Sequence, residues 1–104
     1  MKYVLVYYGG GMAEGEAAQA KAMQAWGAWF GRLGAAVVDG GNPFSGTVCN
    51  LSADGAVADG PIGVPATGYS VIEADSLAAA VDLAKGCPIL EGNGQIAVYE
   101  TVPM

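Results

Sequence analysis

The residues that could do chemistry gather around one stretch, Ala58-Asp59-Gly60-Pro61-Ile62-Gly63, which runs on through Pro65, Thr67 and Gly68 to Tyr69. A carboxylate beside Gly-Pro, in a cleft lined by aromatic rings, is partly desolvated, and desolvation raises its pKa toward that of a usable acid or base. On that ground Asp59 is the candidate catalytic residue. The competing reading is local: Asp before Gly-Pro is a turn composition in which the carboxylate accepts backbone N–H groups. Asp39 ends a short apolar run and is a second acid able to face the same cleft, with strand-terminal capping as its alternative. Tyr8, Tyr69 and Tyr99 could supply phenol donors, Trp26 an aromatic wall, and Asn42 and Asn50 orienting amides or turn residues. The ligand-binding candidates are therefore Tyr8, Trp26, Asp39, Asn42, Pro61 and Tyr69.

Composition removes several classes of chemistry. The 104 residues carry ten acids against four bases, Lys2, Lys21, Arg32 and Lys85, for a formal charge of −6. The bases are scattered, and nucleic-acid binding needs them clustered to neutralise phosphates. An anionic membrane surface is disfavoured for the same reason. No apolar run approaches the ~18 residues of a membrane-spanning helix, and the N-terminal residues read as a strand rather than a signal peptide, so a cytoplasmic location is expected. There is no histidine, and Cys49 and Cys87 have no metal-ligand spacing, so neither a metal nor a cofactor is expected. Both thiols are expected to pack as small buried apolar groups.

The elements that must position these residues follow from periodicity. Lys2–Tyr8 is β-branched and aromatic, apolar on both faces, as a central strand is. Gly9-Gly10-Gly11 breaks it, without the spacing of a phosphate-binding loop. From about Glu14 to Leu33 the period is helical, with Ala22, Met23, Trp26, Trp29, Phe30 and Leu33 on one stripe, and Gln19 its one polar member. Glu14 and Glu16 near its start and Arg32 near its end suit the helix dipole. Ala35–Asp39 reads as a short strand closed by Gly40-Gly41-Asn42-Pro43. The segment to about residue 66 reads as a β-hairpin, with arms at 47–51 and 56–58 around Asp54-Gly55. Gly68–Ala74 is a strand, and Asp75 or Ser76 caps a helix whose stripe is Leu77, Ala80, Val81 and Ala84. Gln95–Val102 is the last strand.

One α+β domain over residues 1–104 results, ferredoxin-like βαββαβ with a hairpin insertion at about 44–66. Right-handed crossovers give a four-stranded antiparallel sheet with both helices on one face. The other face is also largely apolar, and a sheet-to-sheet two-fold dimer is the simplest cover for it.

In motif order the chain resembles the YCII-related, or DGPF-domain, family. The MKY strand ending in Tyr-Gly, Trp26 in the first helix, the Gly40-Gly41-Asn42-Pro43 turn, Asp59-Gly60-Pro61, the GYSVIEA strand, Ala80 and Ala84, and Cys87-Pro88 follow in sequence nearly end to end. The resemblance implies a ferredoxin-like fold paired as a dimeric α/β barrel, with an active site in the cleft and largely unassigned chemistry. Two positions depart from the pattern. Ile62 stands where the name motif has phenylalanine, and Cys87 where some members carry an acid. The His/Asp pair implied for some members has no histidine here.

The function expected is a homodimer that binds a small molecule and is at most a weak enzyme, with its cleft near Asp59. The alternatives are a cofactor-independent oxygenase or isomerase using Trp, Tyr and Asn, and a structural or regulatory interaction module without chemistry.

Overall fold

The structure is a computed structural model that describes residues 1–10 and 15–104. Strand β1 (Lys2–Tyr8) is followed by helix α1 (Glu16–Leu33), strand β2 (Val37–Asp39), strand β3 (Cys49–Leu51), strand β4 (Val57–Asp59), strand β5 (Ala66–Glu73), helix α2 (Leu77–Ala84) and strand β6 (Gln95–Glu100). Four strands form an antiparallel sheet in the order β2-β5-β1-β6, and β3 with β4 form a separate two-stranded hairpin. The architecture is α+β, and the four-stranded sheet is open, with β2 and β6 as its edges rather than a closed barrel. No helix among the described residues is long and apolar enough to cross a membrane.

The sheet buries one face under the helices. Tyr3, Leu5 and Tyr7 of β1 and Ile72 of β5 form the core with Trp29 of α1, Ala80 and Ala84 of α2, and Cys87. Trp29 is 1% exposed, and its indole N–H donates to the Leu83 carbonyl of α2 at 3.0 Å, tying the two helices over the sheet. Trp26 packs edge-on against Tyr7, with ring centroids 5.3 Å apart, and extends this cluster toward Phe30.

Two expected stripes shift. Met23 is 76% exposed, because it stands about 120° round α1 from the buried Trp29, at the edge of the stripe, while its neighbours Ala22, Ala25 and Trp26 are partly buried. In α2 the core side is Ala80, Leu83 and Ala84, while Val81, one residue and about 100° further round, faces outward, as does Leu77 in the first turn. Of the two caps considered for α2, Ser76 serves, its Oγ accepting the Ala79 N–H at 3.1 Å. Glu14 and Gly11 lie outside the described residues; Gly34 closes α1, its N–H donating to the Phe30 carbonyl.

The opposite face carries Val4, Val6 and Tyr8 of β1, Tyr69 and Val71 of β5, and Ala97 and Tyr99 of β6, placed side by side by the register Val4↔Val71, Val6↔Tyr69, Val4↔Tyr99 and Val6↔Ala97. None of these side chains is fully buried, and Tyr99 is 56% exposed. The molecule is correspondingly flat, 44 × 40 × 19 Å. Its radius of gyration, 15.0 Å, exceeds the ~13 Å expected of a compact chain this long.

One backbone contact fixes the end of this face. The turn after β2 lies flat on β5: Tyr69 N–H donates to the Asn42 carbonyl, Phe44 N–H to that of Thr67 at 2.8 Å, and Pro43 pairs with Gly68. Gly41 sits at φ +71°, and a Cβ there would fall 1.8 Å from the Tyr69 carbonyl oxygen. Gly41→Ala is therefore expected to destabilise the fold by on the order of 2–4 kcal/mol. Urea unfolding checks this, and a loss within ~0.5 kcal/mol would show that the turn is free to shift.

Candidate functional site

β2 runs straight into the Gly40–Pro43 turn, so Asp39 stands at the corner where the edge strand leaves the sheet. Its two carboxylate oxygens are both engaged: Oδ1 accepts the Gly41 N–H at 2.8 Å and Oδ2 the Tyr69 hydroxyl at 3.4 Å. The first contact is the capping role open to a strand-terminal acid; the second joins the acid to a phenol on the open face. Phe44, delivered by the same turn, stacks on Tyr69 with centroids 6.0 Å apart and planes 26° from parallel. Tyr8 lies on the same face, one pleat along from Val6, whose neighbour is Tyr69. At this corner the chain thus brings together a carboxylate, a tyrosine and an exposed phenylalanine, with Tyr8 on the same face one strand further in.

From Phe44 a shallow apolar groove of about 700 Å³ leads under the hairpin, lined by Pro43, Val48, Leu51, Pro61, Ile62 and Pro65 among others. Pro61 is therefore a wall of the groove. Asn42 contributes through its backbone: its carbonyl receives Tyr69, and its side chain is exposed.

Two candidates separate from this corner. Trp26 belongs to the helix side of the sheet, packed on Tyr7, Trp29 and Phe30, and the sheet stands between it and Tyr69. The Trp–Tyr–Asn grouping that motivated an oxygenase or isomerase is thereby divided between two faces. Asp59 ends β4 opposite Cys49 and is exposed, and among the described residues its carboxylate has no hydrogen-bond partner. The motif instead closes the hairpin through its neighbours. Gly60 N–H donates to the Val48 carbonyl at 3.0 Å, at a φ of +106° that suits glycine, and the Asn50 amide donates to the Gly60 carbonyl at 3.1 Å. Asn50 is thus a hairpin clamp.

Among the described residues, the groups with displaced pKa values lie on the helix side. Ser70, fully buried, accepts the Tyr7 hydroxyl at 2.8 Å and donates to the Gly40 carbonyl at 2.7 Å, linking the core to the turn that carries Asp39. Burial drives the Tyr7 phenol well above its ordinary value, with the Ser70 hydroxyl working against it. Burial likewise raises the Tyr3 phenol, and the Glu100 carboxylate adds to the effect. Cys87 is 2% exposed, and burial pushes its thiol up to about 11, although the Ile89 N–H and the Tyr7 hydroxyl favour the thiolate. A thiol held protonated in this way is a packing group rather than a nucleophile. Cys49, expected to be buried, is exposed on β3, because the hairpin stands away from the main sheet. Both cysteines are free, and no group of three or more metal-ligating side chains occurs among the described residues.

Sequence reasoning passed over Phe44 and Ser70. Phe44 directly follows the Gly-Gly-Asn-Pro turn, an aromatic residue outside any periodic stripe, which was its available signal. Ser70 is the one hydroxyl among Gly68, Ser70 and Ile72, the core-facing set of β5, and alternation alone marks it as a buried polar group. Neither a scan of protein-family models nor a search of curated proteins finds a match to this chain.

The raised thiol has a consequence for stability. Cys87 binds its proton more tightly folded than unfolded, so its contribution is complete below ~9, the ordinary thiol value, and is lost as pH rises toward about 11. The urea midpoint is expected to fall across that window, and Cys87→Ala to flatten the slope. A midpoint constant from pH 8 to 11 would contradict the buried-thiol assignment.

Proposed function

We propose that this chain is a small-molecule-binding homodimer of YCII-related type, in which two ferredoxin-like sheets pack open face to open face and enclose a cleft ending at Asp39, Tyr69 and Phe44. The observation that carries the proposal is the uncovered apolar face of the sheet, with an acid–phenol pair at its corner. The strand order β2-β5-β1-β6, antiparallel with the helices packed on one side, is compatible with the ferredoxin-like arrangement and supports this reading. Burying what remains exposed of each half-buried Val or Tyr on that face gains about half of the ~1.5–3 kcal/mol that full burial of a large apolar side chain contributes, a favourable sum over Val4, Val6, Tyr8, Tyr69, Val71 and Tyr99. The motif order of the sequence supports the family reading. The two free thiols suit a reducing, cytoplasmic setting.

The cleft binds rather than transforms its ligand in this reading. The strongly perturbed hydroxyl and thiol groups, Tyr7 and Cys87, sit beneath the sheet, away from it. A second reading, an interaction module, is favoured by one observation. The hairpin and the segment after it expose Leu51, Val57, Ile62 and Val64 at 67, 66, 83 and 70%.

Light scattering after size exclusion separates the proposal from its denial. The expected mass is twice the chain's 10.4 kDa, and Val6→Asp, which places a charge at the centre of the face, is expected to give a folded monomer with unchanged far-UV circular dichroism. A wild-type monomer at ~100 μM, well above the dissociation constants of ordinary dimers, would overturn the proposal. Native mass spectrometry of the dimer retaining an adduct that Val6→Asp loses is the expected sign of the ligand.

A further inference from the structure

We infer that the ligand taken at the Asp39–Tyr69–Phe44 corner is an organic cation with an apolar body, a primary arylalkylammonium being the simplest case. This rests on the cleft reading above and adds the chemical class of its occupant.

The positions of the basic side chains bear on the charge of the ligand. The chain has four, and all are among the described residues. Lys2 is at the far end of β1, opposite Glu73, six residues from Tyr8 along the strand. Lys21 and Arg32 are on α1, and the Arg32 guanidinium packs near Gly86 on the helix side. Lys85 follows α2 and pairs with Asp82 at 3.3 Å. None of the four stands at the corner, so this chain offers an anionic ligand no countercharge there. The charged group at that corner is Asp39, in a protein of net charge −6.

The aromatic geometry points the same way. The Phe44 and Tyr69 rings stack, and Phe44 remains 48% exposed. A ring face presented beside a carboxylate attracts cations through its quadrupole, and an ammonium N–H can meet the carboxylate in a charge-assisted hydrogen bond. The acid is also held in place. The Gly41 N–H bonds Oδ1, and the turn cannot slide because Gly41 touches the Tyr69 carbonyl and Ser70 grips the Gly40 carbonyl. Among the described residues Oδ2 meets only the Tyr69 hydroxyl, at a long 3.4 Å, which leaves it lone-pair capacity for an incoming donor. The ligand's apolar body has its place in the groove beyond Phe44, with Pro61, Ile62 and Pro65 as walls.

Three probes of one size and different charge test this: benzylamine (protonated at pH 7), benzyl alcohol and benzoate. Each is titrated into the isotope-labelled dimer while the Phe44 and Tyr69 ring resonances are followed by NMR. Benzylammonium is expected to shift both rings and to bind at least about tenfold more tightly than benzyl alcohol. Asp39→Asn, which keeps an oxygen for the Gly41 N–H, is expected to abolish that preference. Asp82→Asn on α2 changes the net charge equally and is expected to leave it intact. Benzyl alcohol or benzoate binding as tightly as benzylammonium at these rings would overturn the cation assignment and leave the cleft standing. If no probe shifts either ring, both the assignment and the small-molecule reading fall.

Discussion

β1 is apolar on both faces, and every feature of this protein answers to that constraint. A strand of alternating Tyr, Leu and Val residues cannot expose either side to water without cost, so it is drawn to the interior of a sheet and both sides of that sheet need cover. The chain supplies one cover. Trp29, Ala80, Ala84 and Cys87 close over Tyr3, Leu5 and Tyr7 tightly enough to leave these side chains at or near zero exposure. Among the described residues nothing covers Val4, Val6 and Tyr8, which remain only half-buried. The 19 Å thickness is that of a helix layer on a sheet with no third layer.

The unequal treatment of the two faces organises the polar groups as well. On the covered side, polar atoms are few and satisfied: Tyr7, Ser70 and the Gly40 carbonyl form a buried chain, and the Trp29 indole finds the Leu83 carbonyl. An unmet donor there would cost ~1–3 kcal/mol, and among the described residues no buried side-chain nitrogen or oxygen lacks a partner. On the uncovered side the polar groups, Asp39 and the Tyr69 hydroxyl, keep access to solvent and hence to a ligand. Ser70 bridges the two regimes, since the same β5 strand that buries its hydroxyl presents Tyr69 on the other face.

How far the sequence could be read depended on the kind of signal. Elements with strong periodicity, β1, the Trp-bearing half of α1 and β5, fall where alternation and helical spacing place them, because burial enforces those patterns. The errors lie where a pattern has no burial behind it. Met23 sits at the edge of the α1 stripe and turns to solvent, and in α2 Val81 and Leu83 flank Ala80 and Ala84, so that an alanine-rich helix offers only a weak stripe to tell them apart. The site was legible as residue types more than as a constellation. Asp39, Tyr69, Tyr8 and Pro61 converge on one region, but Trp26 proved to be on the other face, since sequence gives a helix's apolar stripe without saying which side of a sheet it covers. Asp59 drew notice as an acid next to Gly-Pro. The physical work of that motif is done by the backbone of Gly60 and the amide of Asn50, which side-chain chemistry does not advertise.

In the proposed homodimer the second apolar face is covered in solution by another copy of the same face, leaving only its Asp39 corner open. A soluble gadolinium chelate broadens methyl resonances according to their distance from solvent, and it reports this residue by residue without reference to mass. At protein concentrations near 200 μM, well above ordinary dimer dissociation constants, the Val4, Val6 and Val71 methyls are expected to be shielded as fully as Leu5. The Met23 methyl, 76% exposed on α1, is expected to broaden strongly. Val4, Val6 and Val71 methyls that broaden like Met23 would mean the face stays open to water, and the account would be wrong at its base.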